Sequence, residues 1–303
     1  EKMKIPVFHD DQHGTAIVVG AAAVNAIELS NRKIENTKIV AVGAGASGIA
    51  CLEMLVKLGA KRENIWLSDS KGLITQNRSE INEEKKRFSQ DSNLSKLDDV
   101  IKDCDMFLGL SGPGVLTSKM VLKMKKQPII FALANPDPEI NPADALKVAP
   151  DALIATGRSD YPNQVNNVLC FPFIFRGALD VGATQINDEM KLACIHAIAN
   201  LARQTSTAET VEAYQGEILK FGKEYLIPKP FDPRLLPNVA VAVAEAAMKS
   251  GVASRPLKDV EAYKQKLEGS VYKSTILMKP VFEAAKTLSR KIVFAEGEDE
   301  RTL

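Results

Sequence analysis

Short apolar runs alternate with longer segments of mixed polarity along most of the chain, and each run ends in a turn-forming residue. Thr15–Leu29 is an Ala- and Val-rich stretch long enough for a buried helix, preceded by the polar cluster His9-Asp10-Asp11-Gln12-His13-Gly14. Thr37–Val42 predicts a strand buried on both faces, and Ile49–Leu58 predicts a helix stopped at Gly59. Further buried strands are expected at Asn64–Leu67, Met106–Leu110, Pro128–Leu133 and Ala152–Ala155. They run into Ser68-Asp69, Ser111-Gly112-Pro113-Gly114, Asn135-Pro136-Asp137-Pro138 and Gly157-Arg158-Ser159. Glu80–Arg87 reads as a solvated helix face. Ile186–Ala202 and Val239–Lys249 predict long helices, the second with Asn238 as N-cap and Gly251 as stop. After Pro256 the chain is polar and charged to Lys273, and Lys291–Ala295 predicts a late strand.

Strands alternating with helices imply an α/β fold: a doubly wound, mainly parallel, Rossmann-type sheet covered on both faces. Its ligand crevice lies beyond the carboxyl ends of the strands. The expected organisation is a metal-site segment with connecting helix at 1–30, a dinucleotide domain at 31–202 and a helical segment at 203–257. Residues 258–303 would be a linker and the start of a further α/β domain.

Composition narrows the function classes. The net charge of +1 leaves no strong field for nucleic acid or an anionic membrane, and no run is apolar for long enough to span a bilayer. The four cysteines form no C-x-x-C pair, which suggests free thiols in a reducing compartment, hence cytoplasm.

The Gly43-x-Gly45-x-x-Gly48 stretch follows a strand and opens a helix. The first glycine permits the tight turn, the second lets backbone approach a pyrophosphate, and the third lets the helix pack on the strand. The N-terminus of the helix that follows supplies N–H groups and a positive dipole to the phosphates. Asp69 ends the next strand at the spacing expected for a carboxylate that binds adenosine ribose hydroxyls, which favours NAD. Ser70, Lys71 and Arg78 follow it and could hold a 2′-phosphate, which favours NADP; ordinary solvent exposure explains the two cations about as well. We read the balance as tipped slightly to NADP.

Asp10 and Asp11 offer carboxylate oxygens to a hard cation such as Mg²⁺, although from spacing alone helix capping is the simpler reading. Asn135 and Asn166-Asn167 could orient a carboxylate and a hydroxyl, or could be plain turn chemistry. His196 sits in an apolar helical pattern and is expected in the core.

Taken together, five stretches resemble the malic enzyme family: Ile5–Ala16, Val42–Ala50, Ser68–Ile74, Phe131–Ile140 and Ala155–Asp180. The resemblance covers residues 1 to about 257, in the form found fused to a phosphotransacetylase-like domain, and Lys291–Arg301 is similar to that domain's opening strand. It implies (S)-malate oxidised and decarboxylated to pyruvate and CO₂, with hydride passed to NAD⁺ or NADP⁺ and Mg²⁺ or Mn²⁺ as Lewis acid. By the same resemblance Asp11 is a metal ligand with Asp10 beside it, and this overturns the capping reading. Asn135 and Asn166 hold malate near the nicotinamide, and Gly43, Gly45, Ala46, Ser47, Gly48, Asp69, Ser70, Lys71, Ser111 and again Asn135 face the cofactor. The family's lysine base, tyrosine acid and further acidic metal ligands lie in an upstream domain. This chain is therefore expected to bind cofactor but to catalyse poorly alone, within a homo-oligomer. Two alternatives stand: another Rossmann dehydrogenase, or a silent dinucleotide-sensing or assembly module.

Overall fold

The computed structural model describes residues 5–205 and 219–271. Its centre is a six-stranded sheet in the order β3-β2-β1-β4-β5-β6. The strands are β1 Ile39–Val42, β2 Ile65–Asp69, β3 Gly72–Leu73, β4 Met106–Gly109, β5 Ile129–Ala132 and β6 Leu153–Thr156. All neighbours pair in parallel except the short β2–β3 pair. The five strands predicted between Thr37 and Ala155 are present within a residue or two of their expected ends. The cause is double-sided burial: β1, β4 and β5 have no outward polar face, so their sequences read as continuous apolar runs.

The first helix, α1 (Thr15–Leu29), has the predicted bounds. It is buried nearly all round, with Ile17, Val18 and Val19 at successive positions all fully covered. Packing against α2 (Ala46–Lys57) and the long helix Asp188–Arg203 explains why it is apolar on every side. A helix over Phe171–Asp180, which is not among the expected elements, packs on Leu235–Lys249. Its Gly177 is needed for that contact, because a Cβ there would lie 2.4 Å from the Ala240 carbonyl oxygen.

Two local expectations, at Asn238 and His196, are corrected. Asn238 is not an N-cap: the helix begins at Leu235, and Asn238 lies inside it with Nδ2 donating to the Arg234 carbonyl. Gly251 is a sound stop, in the left-handed region at φ +74. His196 is exposed rather than in the core, because its helix turns Cys194, Ile195, Ile198 and Ala199 inward instead. The polar stretch after Pro256 carries a helix over 260–271, whose Tyr263 and Leu267 are buried in the main core. The expected strand Lys291–Ala295 lies outside the described residues. All four cysteines are free and buried, and no helix among the described residues is long and apolar enough to cross a membrane.

Candidate functional site

The sheet order places the reversal point between β1 and β4, where a doubly wound fold opens its crevice. The turn after β1 is built so that two of its glycines serve the fold and one faces open space. Gly43 has φ +109, and a Cβ on it would meet the Leu110 carbonyl oxygen at 2.2 Å. A Cβ on Gly48 would lie 1.8 Å from the Gly43 oxygen. At Gly45 an added Cβ meets nothing within 4 Å. That empty approach is what a pyrophosphate requires, and the N-terminus of α2 stands behind it. Gly48→Ala should therefore destabilise the protein by about 1–3 kcal/mol or more through overpacking against backbone, measurable as a lower urea midpoint at unchanged slope. Wild-type stability in that variant would contradict the close approach.

A groove of about 570 Å³ runs from this turn, lined by Gly43, Gly45, Asp69, Ser70, Lys85 and Ser111 among others. Asp69 at its β2 end is already saturated. Its Oδ1 accepts from the Lys71 backbone N–H and from Arg78, and its Oδ2 accepts from Arg78 and Lys85. These four hydrogen bonds fill the carboxylate's acceptor sites, so ribose hydroxyls would have to compete with two cations. Burial alone would raise the Asp69 pKa, but the bonds from Arg78, Lys85 and the Lys71 N–H outweigh it and hold it at about 2. Lys71, expected at the cofactor, turns its ammonium instead to Glu80, and Lys85 takes the place at the groove.

The depressed Asp69 pKa predicts a stability profile. A carboxylate held below its ordinary value stabilises the fold above about pH 4, and that contribution is lost as pH falls through about 2. Asp69→Asn should lower stability at pH 7 by about 2 kcal/mol and flatten the acid limb between pH 4 and 2. Chemical unfolding at both pH values tests this; equal acid limbs in the two proteins would contradict it.

The acidic segment is a single π-turn, Asp10–Gly14, that runs straight into α1. Neither aspartate caps the helix through its side chain, so the capping reading finds no support. Asp10 folds back over Gly14, where a Cβ would meet its Oδ1 at 2.2 Å. Its Oδ2 accepts from Asn167 Nδ2 at 3.2 Å, while its Oδ1 is buried without a hydrogen-bond partner. A buried carboxylate oxygen with no donor is the kind of atom a divalent cation satisfies. The Asp11 side chain is exposed, and its backbone carbonyl accepts from the Ser47 hydroxyl at 2.7 Å. This bond ties the acidic turn to the glycine loop. Among the described residues no cluster of three or more metal-ligating side chains forms. The aspartates could thus supply one or two ligands to Mg²⁺ or Mn²⁺, the number such ions commonly take from carboxylates.

The remaining expected residues sit on turns beyond β5 and β6. Asn135 is exposed and precedes a cis Pro136. Asn166 caps a 3-10 turn, its Oδ1 accepting from the Val168 N–H. The neighbouring Asn167 is the residue that bridges, to Asp10 and to the Thr15 hydroxyl. Among the described residues no hydrogen bond joins Asn135 to Asn166, or either to Asp10. Sequence reasoning missed Asn163, which is buried with φ +57 and binds Ile154, Lys223 and Leu226. Its signal was a lone asparagine between Pro162 and Gln164 in a segment otherwise read as turn.

The family model described as "Malic enzyme, NAD binding domain" matches residues 12–214. The chain belongs to the malic enzyme family. It is 54% identical over its whole length to an NADP-dependent malic enzyme of Haemophilus influenzae, and 55% identical to an NAD-dependent malic enzyme of Rhizobium meliloti. It spans about 40% of the length of either relative. The crystal structure of Entamoeba histolytica malic enzyme matches 96% of this chain and 59% of its own, at 32% identity and a TM-score of 0.80. Malic enzymes named for opposite cofactors are thus equally similar to this chain, so cofactor choice has to be read from the Asp69 end of the groove.

Proposed function

We propose that this chain is the dinucleotide-binding part of an enzyme that oxidises and decarboxylates (S)-malate to pyruvate and CO₂, reducing NAD(P)⁺ with the aid of Mg²⁺ or Mn²⁺. The observation that carries the reading is the Ser47–Asp11 hydrogen bond, which sets a loop shaped for pyrophosphate back to back with a turn holding an unpartnered carboxylate oxygen. Gly43, Gly45, Ala46, Ser47 and Gly48 would receive the pyrophosphate. Asp10 and Asp11 would hold the metal, which when bound supplies Lewis-acid polarisation of the substrate oxygen. Asn167 fixes Asp10 in place, and Asn135 and Asn166 would offer neutral donors and acceptors to malate. Calorimetry of the chain with NADP⁺ tests the first part: one site per chain is expected, and no heat of binding contradicts it.

We also propose that NADP⁺ is the preferred cofactor. Arg78 and Lys85 bring two positive charges against one negative charge on Asp69, and Lys85 and Ser70 face the groove. The net positive end suits a 2′-phosphate better than a ribose diol. Lys85→Ala should weaken NADP⁺ binding about tenfold and leave NAD⁺ nearly unchanged, read from paired dissociation constants. An equal loss for both cofactors would assign Lys85 to bracing Asp69 alone. We propose further, from sequence resemblance, that Lys291–Arg301 belongs to a phosphotransacetylase-like domain.

A further inference from the structure

Glu139 is fully buried at the carboxyl ends of β4 and β5. Its Oε1 accepts the Ser111 N–H at 2.8 Å and the Ser111 hydroxyl at 3.4 Å, and its Oε2 accepts the Ala134 N–H at 3.1 Å. Its carbonyl accepts the Leu116 N–H. A Cβ on Gly109 would lie 2.3 Å from the Glu139 carboxyl carbon, so the end of β4 is opened specifically to admit this side chain. Among the described residues no salt bridge reaches it. The nearby Arg158, bonded to the Pro136 carbonyl, is already matched by Asp137 and Asp160. A carboxylate buried without a cation is costly, and its charge acts at reduced screening on whatever lies over the two turns it joins.

What lies there follows from strand order, on the reading that the groove takes a dinucleotide. Asp69 on β2 and Ser111 after β4 stand on opposite sides of the glycine loop after β1. With adenosine toward Asp69 and pyrophosphate at Gly43–Gly48, the second half of the cofactor extends over the Ser111 and Asn135 turns. In the oxidised cofactor that half carries a cationic nicotinamide ring, and hydride addition makes the ring neutral.

We propose that Glu139 determines specificity for the cofactor's oxidation state: its uncompensated charge favours the cationic NAD(P)⁺ ring over the neutral NAD(P)H ring, while its hydrogen bonds position the two turns. The test measures dissociation constants of NADP⁺ and NADPH for the whole chain, unmodified and as Glu139→Gln and Glu139→Asp. The unmodified chain should bind NADP⁺ at least as tightly as NADPH. Glu139→Gln should move the ratio about tenfold toward NADPH, the effect of one charge across roughly 10 Å of partly screened protein. Glu139→Asp keeps the charge, so it should weaken both forms while leaving their ratio in place. Equal weakening of both forms by Glu139→Gln would reduce Glu139 to a brace and overturn the proposal. If Glu139→Gln fails to fold, the unmodified chain decides, and tenfold tighter binding of NADPH overturns the proposal by itself. Binding of neither nucleotide would overturn the dinucleotide reading, and this inference with it.

Discussion

Gly45→Val should remove dinucleotide binding while leaving the fold intact. Gly45 has φ −81 and ψ −178, extended backbone that any residue adopts, and nothing lies within 4 Å of its would-be Cβ. The Cβ of a valine there has open space around it, and the backbone needs no change to carry it. It does fill the space a pyrophosphate must enter to reach the α2 N–H groups. Affinity for NADP⁺ and NAD⁺ should fall roughly 100-fold or more, a loss of about 3 kcal/mol, with the unfolding midpoint nearly unchanged. Gly48→Ala should behave in the opposite way, costing stability first. Undiminished cofactor affinity in folded Gly45→Val would show that the groove is not a dinucleotide site.

Asp11→Asn should cost malate turnover about 100-fold or more in the protein at the full length of its relatives, and should raise its Mn²⁺ requirement. The substitution keeps shape and removes one anionic oxygen. It also keeps the Ser47 bond, which uses the Asp11 backbone carbonyl. A purely structural aspartate would tolerate it, since asparagine caps a helix as well as aspartate does and this turn uses no side-chain cap. Steady-state rates across a Mn²⁺ titration check the prediction, and near-normal turnover would return Asp11 to a structural role.

The strands were legible because a strand buried on both faces must be apolar throughout, and Ile129–Ala132 can be little else. The glycine loop was legible because its three glycines answer a local steric demand. The helix Phe171–Asp180 keeps a one-sided apolar period but carries Pro172, which reads as a breaker although proline is welcome in a first helical turn. The residues that assemble the site were hidden for another reason. Asn167 meets Asp10 across 157 positions, and Glu139 meets Ser111 across 28. Nothing in local spacing distinguishes such partners from turn asparagines or solvent-facing acids. Lys85 was passed over in a charged run that looked like a solvated face, and the folding of Glu83–Lys86 carries it back to Asp69. Lys71 was chosen for its nearness in sequence, but its long side chain finds Glu80 first.

The proposed reaction joins dinucleotide reduction to loss of carbon from malate, and one measurement addresses both. The protein at the full length of its relatives is supplied with malate, Mn²⁺ and NADP⁺ or NAD⁺, and the CO₂ released is compared with the reduced cofactor formed. One CO₂ is expected for each reduced dinucleotide, with both products absent when Mn²⁺ is chelated. Reduced cofactor without CO₂ would mark a simple dehydrogenase, and neither product at saturating substrate would mark a binding module; either result would contradict the account.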